Sequence, residues 1–101
     1  IHSYNPEGIG EDILPANVDF RLIDHFEKVT DEAGAHTARE LAKKEGLLLG
    51  YSCGSAFQEL RQLKDRLKPE DVPVVLFHDH GSRYTGKVYN DDWMRAQGWL
   101  K

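Results

Sequence analysis

Cysteine is nearly missing from this 101-residue sequence, with Cys53 the sole example. One thiol excludes an internal disulfide framework and a multi-cysteine zinc site, and fits a reducing compartment, so the cytoplasm is the expected location. No apolar run is long enough to cross a bilayer, and no basic-then-apolar signal opens the chain. Positive charge is in deficit as well: 13 Lys and Arg stand against 17 Asp and Glu, a formal net charge of −4 scattered along the chain. Such a surface does not invite nucleic acid or anionic lipid. Repeats, low-complexity tracts and long linkers are lacking too. The chain opens on Ile1-His2-Ser3-Tyr4-Asn5-Pro6 without a methionine, which reads as mid-chain sequence, and a fragment is expected.

What is present is the composition of a folded protein, with 40% hydrophobic and 30% charged residues. A chain of this length buries roughly 60–70% of its unfolded surface, enough for one core. Pro6, Gly8, Gly10 and Pro15 make Ile1 to Val18 a loop, and Asp24 to Val29 is a weak strand candidate. Thr30 can cap a helix over residues 31–45, with Asp31 and Glu32 at its positive end, Lys43 and Lys44 at its negative end and Gly46 to stop it. Its core face holds Ala35, Ala38, Leu41 and Ala42. Leu47–Leu49 reads as a short apolar strand, Phe57, Leu60, Leu63 and Leu67 as the stripe of a helix over 55–67, and Pro73–Phe77 as a buried strand. Asn90 caps a last short helix through Gln97, and Gly98 ends it.

The order strand 47–49, helix 55–67, strand 74–77 predicts a βαβ unit with parallel strands, hence an α/β fold. The loops after Leu49 and Phe77 then share one edge of the sheet, where ligands bind, so Ser52 and His78-Asp79-His80-Gly81 are expected to face one site.

Gly50-Tyr51-Ser52-Cys53-Gly54 leads from that strand into a helix, a setting that favours electron-rich ligand atoms. The bland alternative is that Ser52 caps the helix while the glycines permit a tight turn. Cys53 with His78 or His80 as base defines a rival, a Cys–His nucleophilic enzyme. His78, Asp79 and His80 offer metal-ligand chemistry without a fourth partner, and no metal site is assigned. Glu7-Gly8-Ile9-Gly10-Glu11-Asp12 lets backbone approach a ligand, though its acidic residues disfavour a phosphate cradle. Asp91 and Asp92 read as first-turn residues, and Trp93, Met94 and Trp99 as packing residues.

Taken in order, several segments resemble the end of the catalytic domain of the cystathionine β-synthase and cysteine synthase family. They are Glu7-Gly8-Ile9-Gly10 with Pro15, Thr30-Asp31-Glu32, Glu45-Gly46-Leu47 into Gly50–Gly54, and Asp79 to Tyr84. The tail from Lys87-Val88-Tyr89-Asn90-Asp91-Asp92-Trp93-Met94 to Gly98-Trp99-Leu100 is more similar to the cystathionine β-synthase branch. The resemblance implies that residues 1–101 form the C-terminal segment of the large domain of a fold type II pyridoxal-phosphate enzyme, a three-layer open sheet with parallel strands and flanking helices. It implies Ser52 beside the pyridine nitrogen, Gly8 beside the cofactor, and Gly10 and Glu11 beside the bound amino acid. A neutral hydroxyl leaves the ring a moderate electron sink, which suits β-elimination and replacement.

The implied reaction exchanges the β-substituent of serine or an O-acylserine for a thiol, in a homodimeric complete enzyme. Glu11, His78, His80 and Cys53 depart from residues usual in the family. The resemblance implies that the family's Schiff-base lysine lies upstream of Ile1, and Lys43, Lys44, Lys64, Lys68, Lys87 and Lys101 have no matching context. No catalytic residue is therefore assigned, and the chain alone is expected to be inactive. A non-catalytic interaction module is the remaining alternative.

Overall fold

The computed structural model describes residues 20–25 and 27–101. Its elements are a 3-10 turn at Phe20–Leu22, helix α1 at Asp31–Glu45, helix α2 at Tyr51–Leu63, 3-10 turns at Lys64–Arg66 and Gly81–Tyr84, and helix α3 at Asp91–Ala96. Among the described residues no helix is long and apolar enough to cross a membrane.

Helix α1 forms where its caps dictate. The Thr30 hydroxyl accepts from the Ala33 N–H, and Gly46 closes the other end at φ 69°, a left-handed conformation that glycine adopts without a Cβ clash. Its buried face, Gly34, Ala35, Thr37, Ala38 and Leu41, consists mainly of small residues, so the backbone of α2 can come close. Gly54 marks the crossing: a Cβ there would lie 2.3 Å from the Gly34 carbonyl oxygen and 2.7 Å from Ala38 Cβ. The Thr37 hydroxyl donates to Gln58 at 3.0 Å, and Arg61 pairs with Glu40 at 2.8 Å along the same seam.

The core joins this helix pair to the tail. Ala35, Ala38, Tyr51, Tyr84, Val88 and Met94 are buried together, with Tyr89, Trp93, Trp99 and Leu100 packed on them. Trp93 meets Tyr51 and Trp99 edge-on, at centroid distances of 6.5 and 5.6 Å. Asn90 caps α3 by accepting from the Trp93 N–H, and Asp91 in its first turn pairs with Arg39 of α1. Trp93, Met94 and Trp99 are thus packing residues.

The expected open sheet of parallel strands is overturned. Among the described residues there is no strand, and the β pairing is a single bridge between Leu49 and His80, antiparallel in sense. A strand exists only through a hydrogen-bonded neighbour. Residues 74–77 are apolar and β-branched, yet Val72, Val74 and Leu76 stay 86%, 90% and 77% exposed. Phe77 turns inward onto Phe57, at a centroid distance of 6.4 Å. The described residues of 24–29 likewise form no strand. Helix α2 begins at Tyr51, inside the expected loop, and gives way at Leu63 to a 3-10 turn short of Pro69.

Candidate functional site

Two loops are stitched together beside the head of α2. The Gly50 N–H donates to the Asp79 carbonyl at 3.1 Å, and the Gly81 N–H donates to the Leu48 carbonyl at 3.0 Å, flanking the Leu49–His80 bridge. Tyr89 adds a hydroxyl bond to the Leu49 carbonyl at 2.6 Å.

The glycines of Gly50–Gly54 serve close approach. Gly50 is the helix N-cap at φ −64°, open to any residue by its dihedral, and its side chain is excluded by space. A Cβ at residue 50 would fall 1.7 Å from Asp79 Oδ1. Gly50 makes no side-chain cap bond, and Ser52 lies inside the first turn, so Ser52 is not the cap.

Asp79 holds the site together. Its Oδ2 accepts from the Tyr84 hydroxyl at 3.0 Å and its Oδ1 accepts from the Cys53 thiol at 3.3 Å. Burial is the main cause that pushes the Cys53 thiol above its ordinary pKa, and the carboxylate at its side adds to this. A fully buried, protonated thiol bonded to a carboxylate is the opposite of an activated nucleophile. His78 does not pair with that thiol.

Instead, His78 Nε2 shares a 2.7 Å hydrogen bond with the Ser52 hydroxyl. Ser52 is 6% exposed, whereas the His78 side chain is 51% exposed. The pair joins a buried hydroxyl to the surface. His80 faces elsewhere, its Nδ1 accepting from the Ser82 N–H to cap the 3-10 turn at Gly81–Tyr84. Cys53, His78 and Asp79 bring one ligand atom each within 4.8 Å of one another, but Nε2 is already bonded to Ser52 and Oδ1 to the thiol.

Of the residues expected at the site, Gly8, Gly10 and Glu11 lie outside the described residues, as does the loop expected over Ile1 to Val18. Ser52 and the segment His78–Gly81 are brought together. Asp79 is expected at the site by sequence, but its bonds to Cys53 and Tyr84, and the part played by Tyr89, have no local signature, since no pattern marks a carboxylate whose partners are 26 residues back and five ahead.

A family model described as pyridoxal-phosphate dependent enzyme matches residues 1–79. The chain belongs to that family. Pyridoxal phosphate is accordingly the cofactor that its members use. The sequence is 39% identical over 98 residues to cystathionine β-synthase of Dictyostelium discoideum, covering 97% of this chain and 20% of that protein. The corresponding protein of Saccharomyces cerevisiae is 38% identical over 98 residues, 94% of this chain and 19% of its own. That of Rattus norvegicus is 35% identical over 99 residues, 98% of this chain and 18% of its own. The chain spans about a fifth of the length of these curated relatives.

The residues present fit a pyridine ring. A hydroxyl both donates and accepts, so Ser52 can meet a ring nitrogen in either protonation state. The nearby carboxylate of Asp79 has an acceptor bond on each oxygen and is directed at Cys53 and Tyr84.

Proposed function

We propose that the protein carrying this chain catalyses β-replacement on serine or an O-acylserine with a thiol, and that this chain forms one wall of its cofactor site. The observation that carries the reading is the Ser52 hydroxyl, held at the head of α2 by its hydrogen bond to His78. Pyridoxal phosphate, when bound, supplies the electron sink for loss of the Cα proton and the β-substituent. The chain's own part is to orient and to exclude. Ser52 would contact the ring nitrogen as a neutral partner, which would keep the sink moderate and favour β chemistry. Gly50 leaves room for the Asp79 carboxylate, Gly54 lets α2 close on α1, and Asp79 fixes the loop by its bonds to Gly50, Cys53 and Tyr84. Gly8 is assigned to the cofactor, and Gly10 and Glu11 to the amino acid, on the family resemblance alone.

The reading extends to a homodimer working in the cytoplasm, the compartment that a single cysteine fits. The Cys53–His reading gains no support from a buried thiol bonded to Asp79. The 101-residue chain alone is proposed to be inactive, because none of its lysines matches the family's Schiff-base context. Borohydride trapping of pyridoxal phosphate on one of its lysines would sink that part. For the complete protein, the test is product analysis with serine and O-acetylserine against homocysteine and sulfide. Thioether or cysteine formation is expected, and deamination without thiol incorporation would overturn the assignment.

A further inference from the structure

We propose that His78 is a positioning residue for the cofactor ring, acting through Ser52 by fixing which way the serine hydroxyl points. The inference rests on Ser52 contacting the ring nitrogen. Its basis is the 2.7 Å bond between Ser52 Oγ and His78 Nε2.

A serine hydroxyl has one proton and two lone pairs, and alone it rotates freely. With Nε2 bare, Ser52 donates its proton to His78 and turns only lone pairs toward a ligand, a match for a protonated ring nitrogen. With a proton on Nε2, His78 donates and the serine proton is directed at the ligand, a match for an unprotonated nitrogen. Either way the hydroxyl is oriented before the ligand arrives, which removes part of the ordering cost of binding. The geometry leaves His78 available for this role. Cys53 bonds to Asp79 instead of the imidazole, and Asp79 Oδ1 stands 3.9 Å from Nε2.

The test uses the holoenzyme that contains this chain, in wild-type, Ser52→Ala, His78→Ala, His78→Gln and double-variant forms. The readouts are the absorbance and fluorescence bands of the bound cofactor and the Kd for pyridoxal phosphate. Ser52→Ala is expected to shift the bands and weaken binding by roughly three- to ten-fold, the worth of one hydrogen bond. His78→Ala should shift them in the same sense, His78→Gln should restore most of the change, and the double variant should equal Ser52→Ala. Wild-type bands and Kd in His78→Ala, alongside an altered Ser52→Ala, would overturn the role of His78 and leave that of Ser52 standing. An unaltered Ser52→Ala would overturn the Ser52 contact itself. If His78→Ala loses its circular dichroism signature, His78→Phe supplies the same comparison with the bulk retained.

Discussion

The carboxylate of Asp79 occupies the space that a side chain at residue 50 would need, with Oδ1 1.7 Å from the position of a Gly50 Cβ. Gly50→Ala is therefore expected to push Asp79 off its bonds to Cys53 and Tyr84. The cost should reach about 2–4 kcal/mol, since overpacking and a broken polar network add. Gly86→Ala, where a Cβ meets nothing within 4 Å, is the control. Denaturant melts of both variants check this, and equal stabilities would refute it.

Two glycines at the crossing of α1 and α2 should differ. A Cβ at Gly54 meets the backbone of α1, the Gly34 carbonyl at 2.3 Å, whereas one at Gly34 is crowded by the Ser55 hydroxyl at 2.4 Å, a group that can rotate away, with Ser55 Cβ and Cα at ordinary contact distances of 3.4 and 3.5 Å. Gly54→Ala is expected to cost about 1–3 kcal/mol. Gly34→Ala should be near neutral, because a helix-propensity gain of up to about 1 kcal/mol offsets the adjustment. Thermal unfolding of the pair decides it.

Cys53 should alkylate slowly at neutral pH, with a rate that climbs only above the range of an ordinary thiol, because burial pushes its pKa up. The linkage has a definite sign. The stability associated with the protonated, buried thiol is full below the unfolded-state pKa and is lost as pH rises through the folded one. Iodoacetamide kinetics between pH 6 and 10 test the first statement, and rapid labelling at pH 7 would contradict it.

Arg39 holds the Asp91 carboxyl below its usual range, first through their hydrogen bond and then through charge. A depressed carboxyl contributes stability above its unfolded value that disappears as pH falls through the folded one. The acid limb of the stability profile should therefore flatten in Asp91→Asn. Arg39→Ala should lose more than Asp91→Asn, since Arg39 also donates to the Val88 carbonyl at 2.9 Å.

The helices with local signals were legible. Thr30, Gly46 and Asn90 each carry a cap bond or a left-handed turn where residue chemistry places one, and α1 runs over the expected residues. The start of α2 was not legible. Gly54 reads as loop, and only the nearness of the α1 backbone makes a glycine suitable inside that helix. The run at 74–77 carries strand chemistry, but strand pairing depends on a distant partner that the local sequence does not specify. Ser52 and His78 were expected together at the edge of a parallel sheet. They do meet, by an antiparallel bridge at His80 instead.

That bridge has a mechanical consequence. Two backbone hydrogen bonds, from the Gly50 N–H to the Asp79 carbonyl and from the Gly81 N–H to the Leu48 carbonyl, make that bridge and tie the segment before Ser52 to the segment after His78. The two side chains hence sit on a common rigid mount. A shift of either backbone segment is passed to the other through these bonds, and the Ser52–His78 hydrogen bond spans the same junction.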